Sequence, residues 1–343
     1  RTSDIILGMP HKVTLIPGDG IGPEVAVAAM RAIDATGVDI AWERVELTAD
    51  IIAAHHEELP AHVVESIRRT RVGLKGPVTT PVAGGYTSVN VALRKRLDLF
   101  ANVRPVRQLS GLRTRYSDVV IDMVIFRENT EDLYAGLEHE VVTDVVTSLK
   151  VITRTASTRI SRHAFEYARK MKRRRVTAVH KANIMKLGDG LFLRCAREVA
   201  RGFPEIEYKE LIVDNTAMQM VMRPEQFDLL LMPNLYGDII SDLAAGLVGG
   251  LGIVPGANVG DEYAVFEAVH GSAPDIAGKG IANPTAIMMS GAMMLDHLGE
   301  IDAAGRLRSA IERVYQEGHH LTGDVGGTAS TAEFTDAVVQ HLS

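Results

Sequence analysis

The sequence predicts an α/β protein, and three observations carry the prediction. Short apolar runs suited to strands alternate with stretches of helical periodicity. A glycine-rich turn, Gly18-Asp-Gly-Ile-Gly-Pro-Glu, joins the first such strand to the first helix. Hydrophobic residues make up 46% and charged residues 23% of the 343, the balance of a soluble globular chain. That length suggests about two domains.

Taken in order, Met9 is a plausible native start, with residues 1–8 an expression remnant or the end of a removed presequence. Val13-Thr-Leu-Ile forms the first strand, and a helix is expected over Val25–Ala35. Pro23 suits that helix's first turn, where a missing N–H costs nothing, and Glu24 complements the dipole. Further strands are expected at Val72–Leu74, Val119–Phe126, Val176–Val179, Ile212–Val213 and Leu229–Met232. The basic run Lys170–Arg175 reads as a solvated helix end before a strand. Crossings between two lobes are expected at Phe100–Pro105 and in the glycine-rich stretch Gly249–Gly256.

Several function classes are disfavoured. A net charge of −6 argues against a nucleic-acid partner. No apolar run reaches the ~18 residues of a membrane span. The single cysteine, Cys195, excludes an internal disulfide, fits a reducing compartment and reads as core packing. The Gly18–Gly22 turn has the pattern G-x-G-x-G, and no acidic residue ends a second strand at the expected interval, so a Rossmann site is rejected.

Three clusters carry chemistry. In Asn234-Leu-Tyr-Gly-Asp-Ile-Ile-Ser-Asp, helical spacing sets Asp238 and Asp242 on one face. Their repulsion costs an isolated helix roughly 0.2–0.5 kcal/mol, and a hard divalent cation would offset it. Asp214, after Leu211-Ile-Val at a strand end, would point a carboxylate to the sheet's ligand edge, or else cap the next helix. Arg94, Arg104 and Arg127, each in a segment rich in turn or polar residues, offer planar forks suited to a polycarboxylic acid. Ser88 and Asn90 could add neutral hydrogen bonds to that ligand. Tyr134 and Lys181 could form a proton-transfer pair.

At these residues the chain resembles the isocitrate and isopropylmalate dehydrogenases, the β-decarboxylating hydroxyacid dehydrogenase family. The resemblance runs from about Val13 to Thr328. Its motifs are Ile16-Pro-Gly-Asp-Gly-Ile-Gly-Pro-Glu, Ala101-Asn-Val-Arg-Pro, Arg127-Glu-Asn-Thr-Glu-Asp, Val179-His-Lys-Ala-Asn-Ile, the Asn234–Asp242 segment and His270-Gly-Ser-Ala-Pro-Asp-Ile-Ala-Gly-Lys. It implies a two-domain fold distinct from the Rossmann fold, with the active site in the interdomain cleft at a dimer interface. One domain would combine 9–100 with 252–343 and carry the NAD site. The other, 101–251, would carry the dimer interface and the metal site.

The resemblance also implies roles. Ser88, Asn90, Arg94, Arg104, Arg127, Tyr134, Lys181 and Asn183 would bind substrate, with Tyr134 and Lys181 catalytic. Asp214, Asp238 and Asp242 would hold Mg²⁺ or Mn²⁺, with Lys181 and Asp214 supplied by a partner copy. NAD would meet Thr80, His270, Gly271, Ser272, Ala273, Asp275, Ile276 and Asn283. NADP-dependent isocitrate relatives carry lysine and tyrosine where this chain has Asp275 and Ile276, so NAD is expected.

The Ser-x-Asn at Ser88–Asn90 matches family members that act on isocitrate, whereas isopropylmalate enzymes present apolar groups there. The expected activity is oxidative decarboxylation of isocitrate to 2-oxoglutarate and CO₂ by a homodimer or higher homo-oligomer. Homoisocitrate dehydrogenase is the runner-up, ahead of isopropylmalate or tartrate dehydrogenase. A non-catalytic regulatory subunit is the reading from another class. The compartment would be the cytoplasm in a bacterium and the mitochondrial matrix in a eukaryote.

Overall fold

The computed structural model describes residues 9–55, 59–79 and 88–343. Thr80 and the positions immediately before Ser88 lie outside the described residues.

The described residues form twelve strands: β1 (His11–Ile16), β2 (Ile40–Arg44), β3 (Val72–Lys75), β4 (Ala101–Arg107), β5 (Asp122–Glu128), β6 (Glu138–Val142), β7 (Val145–Ser148), β8 (Arg175–His180), β9 (Glu207–Ile212), β10 (Leu229–Met232), β11 (Pro255–Val259) and β12 (Ala264–Ala268). Ten of them form one sheet in the order β2-β1-β3-β12-β11-β4-β5-β10-β8-β9. Its two ends are parallel, while β11 runs antiparallel to both neighbours and β4 antiparallel to β5. Phe100–Pro105 therefore leads into a mid-sheet strand and is more than a crossing segment. The Val119–Phe126 strand shifts to Asp122–Glu128, because residues 115–119 form turns. Val213, expected in a strand, instead opens a helix.

The helices are α1 (Gly22–Asp34), α2 (Ala49–His55), α3 (Ala61–Thr70), α4 (Val89–Arg96), α5 (Arg154–Lys170), α6 (Gly188–Ala200), α7 (Val213–Met222), α8 (Asn234–Val248), α9 (Thr285–Leu298), α10 (Ile301–Glu317) and α11 (Thr331–Leu342). Alternate strand residues point to opposite faces, and the core divides accordingly. Met123, Ile125, Leu230 and Met232 pack with α1, α8, α9, α10 and α11. Val124, Phe126, Leu229 and Leu231 pack with α5 and α6 on the other face. Ile16 and Val265 join α3 and α4 there, at the far end of the sheet. Strands covered on both faces read as unbroken apolar runs, which is why Leu229–Met232 was legible while the mixed sequence of β4 was not.

The glycines of the first turn are required by close approach. Gly18 and Gly20 have φ of +77° and +60°, and a Cβ would fall 1.9 Å from the Pro77 carbonyl oxygen and 2.0 Å from that of Ser272, respectively. The turn is thus packed against two other backbones: Asp19 N donates to Pro77 O and Ile21 N to Ser272 O. Glu24 does more than complement a dipole. Its carboxylate accepts from Gly280 N, Ala282 N and Thr331 Oγ1, tying α1 to the segment after His270. Cys195 is fully buried, as core packing requires.

Candidate active site

The polar residues of the central strands collect in one pocket. It is lined by Ser88, Asn90, Arg94, Arg104, Arg127, Tyr134, Asp238, His270 and Gly271, together with Lys75, Asn102 and Glu267, among others. The three arginines do not stand in turns. Arg94 lies in α4, Arg104 in β4 and Arg127 in β5, with relative exposures of 7%, 6% and 1%. Three buried guanidinium groups in one pocket are costly unless anions meet them. Burial lowers Arg127 to about 10, and the like charges of Arg94 and Arg104 push the same way against Asp238.

Helix α8 supplies part of the answer. Asp238 accepts from Arg127, and Tyr134 donates to its Oδ2 at 2.5 Å. Arg104 lies 3.8 Å from Asp238 and 3.4 Å from Asp242. The repulsion between the two aspartates is thus already met by arginines within the chain. Their environments still differ. Burial would raise Asp238, but Arg127, Tyr134 and Arg104 together hold it below its ordinary value. Burial raises Asp242, with Arg104 opposing and Asp238 adding to the rise. Burial and the hydrogen bond to Asp238 raise the Tyr134 phenol, so its proton is retained at neutral pH. The guanidinium of Arg127 sits 4.9 Å from the Tyr134 ring centre, fixing that ring from its face.

The packing beneath is specific. Arg127 Nε donates to Asn234 at the start of α8 at 2.8 Å. A Cβ on Gly237 would lie 2.5 Å from Arg127 Cβ and Cγ, so only glycine lets α8 cross the arginine this closely.

A second set was not anticipated from sequence. Lys75 Nζ donates to Glu267 at 2.7 Å, Asn258 Nδ2 donates to it at 2.7 Å, and Arg94 approaches it at 3.4 Å. Burial alone would raise Glu267, but Lys75 and Arg94 hold it at about 2. A signal existed: a lysine ends the buried run Val72-Gly-Leu-Lys, and a glutamate interrupts Ala-Val-Phe-Glu-Ala. Charges inside such runs require partners.

Lys181 and Asp214 are not in this pocket. They pair with each other at 2.6 Å, and the Asp214 side chain is 68% exposed. Asp214 sits in the first turn of α7, after the Ile212 N-cap, and does not face the pocket of its own chain. Asn183 is exposed in the turn after Lys181. Among the described residues, no three His, Cys, Asp or Glu side chains gather closely enough to hold a metal ion.

Of the expected cofactor contacts, His270 and Gly271 reach the pocket. His270 Nδ1 faces the Gly271 carbonyl at 2.9 Å and must donate to it, leaving Nε2 a buried acceptor without a partner among the described residues. Burial lowers its pKa, with Gly271 opposing, so the ring is neutral. Ser272 contacts Thr79 Oγ1 at 2.7 Å and Ile21 through its carbonyl. Ala273 takes a positive φ of 39°, Asp275 is exposed, and Ile276 is half-buried on the turn that follows. Asn283 is different. Its side chain is engaged internally, donating to Tyr315 and Asp324 and accepting from Thr285 N, so only its backbone is spare.

Comparison with known proteins agrees with this architecture. The family model for isocitrate/isopropylmalate dehydrogenase matches residues 12–338. The mitochondrial NAD isocitrate dehydrogenase catalytic subunit 5 of Arabidopsis thaliana is 53% identical, over 97% of this chain and 89% of that one. A mitochondrial NAD isocitrate dehydrogenase regulatory subunit from Dictyostelium discoideum is 48% identical, over 97% of this chain and 92% of that one. A crystal structure of isocitrate dehydrogenase from Methylococcus capsulatus superposes with a TM-score of 0.93 at 51% identity, covering 97% of this chain and 99% of that one.

Proposed function

This chain belongs to the isocitrate/isopropylmalate dehydrogenase family, and on that premise we propose that it carries out NAD-dependent oxidative decarboxylation of isocitrate. The observation that carries the reading is the pocket itself. Three buried arginines from three different elements converge beside a tyrosine–aspartate pair. A compact acid with several carboxylates is what such a site is short of.

Arg94, Arg104 and Arg127 bind and orient the carboxylates. Ser88 and Asn90 hydrogen-bond the carboxylate that distinguishes isocitrate, and Asn90 Oδ1 is buried with no partner among the described residues. Leaving such groups against an alkyl chain costs about 1–3 kcal/mol, which disfavours isopropylmalate. Lys181 of a second copy takes the hydroxyl proton, and Tyr134 delivers a proton to the carbon that has lost CO₂.

The residues present fit both a divalent cation and NAD. Asp238 and Asp242 offer hard carboxylate oxygens next to the substrate arginines, and Asp214 of a second copy completes the set for Mg²⁺ or Mn²⁺. A cation held there would supply Lewis acidity to the substrate's oxygen atoms. For NAD, which would accept the hydride, the turn from His270 to Ile276 is anchored through Ser272, whose carbonyl accepts from Ile21 N and whose hydroxyl meets Thr79, and the exposed Asp275 suits ribose hydroxyls while repelling a 2′-phosphate.

Exposed apolar surface favours self-association, and with it the shared site. The β6–β7 hairpin is exposed along its length, including Val141, Val142, Val145 and Val146 at 49–62%. An isolated two-stranded hairpin is marginal in water unless something covers it. Ile184 and Leu187 beside Lys181, and Met218, Val221 and Met222 on α7, are also exposed. We assign 9–100 with 252–343 to one domain and 101–251 to the other. The sheet supports this, because β1, β2, β3, β11 and β12 lie on one side of the β11–β4 junction and β4, β5, β8, β9 and β10 on the other. The compartment follows the source, and no helix among the described residues is long and apolar enough to cross a membrane.

A regulatory role is the alternative, since relatives include both catalytic and regulatory subunits. Retention of Arg94, Arg104, Arg127, Tyr134, Lys181, Asp214, Asp238 and Asp242 favours catalysis. The purified chain, assayed with Mg²⁺ or Mn²⁺ against isocitrate, homoisocitrate, isopropylmalate and tartrate, each with NAD and NADP, should turn over isocitrate with NAD best. No turnover by the chain alone would favour the regulatory reading, and dominant isopropylmalate use would overturn the Ser88–Asn90 argument.

A further inference from the structure

Three buried asparagines form a row at the base of the pocket, with Asn102 among its lining residues, and their amide orientations can be deduced. Asn258 faces the Glu267 carboxylate at 2.7 Å. An ionised carboxylate only accepts, so the Asn258 NH₂ must point there and its Oδ1 must point away. That oxygen meets Asn102 and Asn129, each at 2.9 Å, and both must therefore present NH₂ groups to it. The result is visible at the far ends: Asn102 Oδ1 and Asn129 Oδ1 are buried without partners among the described residues. All three asparagines are 1–2% exposed. Sheet register sets this row, since Asn102 on β4 stands opposite both Asn258 on β11 and Arg127 on β5.

We infer that Asn258 is a positioning residue of the anion pocket: its amide fixes the Glu267 carboxylate, and Glu267 in turn fixes Arg94 to receive a substrate carboxylate. The inference rests on the proposed function only for the identity of that ligand. Glu267 is gripped from four directions, by Lys75 on β3, Arg94 on α4, Asn258 on β11 and the field of Arg104 on β4, with neutral His270 beyond it. Among the described residues Asn258 is the one neutral donor in that set, and its other end accepts from Asn102 on β4.

The substitution Asn258→Asp isolates this contact. A carboxylate at 258 can still accept from Asn102 and Asn129, so the rest of the row keeps its orientation. Toward Glu267 it can donate only when protonated. The two carboxylates then form a coupled pair sharing one proton, whose pKa their mutual repulsion raises above the ordinary carboxylate range against the opposing pull of Lys75 and Arg94. At low pH the protonated Asp would restore the hydrogen bond to Glu267. At high pH two adjacent carboxylates repel, and the Arg94 anchor is disturbed.

The test is isocitrate affinity, measured by calorimetry with Mg²⁺ from about pH 6 to pH 9, as the ratio of variant to unaltered chain at each pH, which cancels the ligand's own ionisation. Asn258→Asp should bind nearly as well as the unaltered chain at the acid end and about tenfold or more worse at the alkaline end, a tenfold change being what one unit of pKa displacement supplies. The variant Asn258→Leu, neutral and unable to donate, should bind about tenfold worse with no pH dependence in the ratio. Added charge alone would leave it at wild-type affinity. Thermal melting and circular dichroism at each pH establish that the proteins compared are folded.

A flat ratio near one for Asn258→Asp, or unchanged affinity in Asn258→Leu, overturns the inference. If Asn258→Leu does not fold, the pH series on Asn258→Asp decides alone, because it compares one folded protein with itself. Failure of the proposed function looks different: the unaltered chain would bind isocitrate without turnover, or would bind a different acid from the panel in its place, and the same ratio would then be measured with that acid.

Discussion

At the scale of single residues, the site is a problem of excess positive charge solved in two directions. Asp238 meets Arg127 and Arg104 from α8, and Glu267 meets Lys75 and Arg94 from β12. What is left over is capacity for a ligand's carboxylates. Tyr134 is poised differently, with its proton committed to Asp238 Oδ2 and its ring held under Arg127. Tyr134→Phe keeps the ring and that packing but has no proton to give. It should lower kcat by about 10²–10⁴-fold, the usual share of general acid catalysis, with isocitrate KM changed far less. Steady-state kinetics on the purified variant checks this, and a KM effect larger than the kcat effect would place Tyr134 in binding instead of proton transfer.

At the scale of elements, α8 is the one that sequence reading described best and yet incompletely. Its spacing placed Asp238 and Asp242 on one face, which the structure shows. The counter-charge was less legible, because Arg104 and Arg127 come from strands more than a hundred residues away in the chain. Gly237 joins the two levels, as the position where α8 passes over the stem of Arg127. Gly237→Ala should therefore be destabilising despite the helical preference of alanine, since overpacking costs about 1–3 kcal/mol. It should also weaken isocitrate binding by displacing the guanidinium. Thermal melting together with KM tests both parts, and an unchanged or raised melting temperature would contradict the packing argument.

At the scale of the whole molecule, one chain gathers only part of the expected set of site residues. Arg94, Arg104, Arg127, Tyr134 and Asp238 share a pocket, whereas Lys181 and Asp214 form their own pair elsewhere on the surface. Under the shared-site reading, Tyr134→Phe and Lys181→Met should each be nearly inactive as homodimers. Refolding an equal mixture should recover about a quarter of the original sites, since half the dimers are mixed and each mixed dimer of two-fold symmetry holds one intact site. Recovery of no activity in the mixture, with mixed dimers shown to form, would mean that each chain completes its own site.

The sequence by itself determined the α/β class, the strand at Leu229–Met232, the buried cysteine and the aspartate pair of α8. Each of these depends on neighbours within one element, where period and composition carry the information. It also determined which residue types stand at the site, through motifs long enough to identify the family. Only the tertiary structure decided that Arg94, Arg104 and Arg127 sit on a helix and two strands instead of in turns. It likewise revealed Lys75 and Glu267 as their company, and set Asp214 and Lys181 apart from the pocket of their own chain. Those outcomes depend on register between strands far apart in sequence, such as Asn102 against both Asn258 and Arg127. Burial and charge pairing across such contacts are properties of the folded sheet, and no local pattern encodes which distant strand will lie alongside.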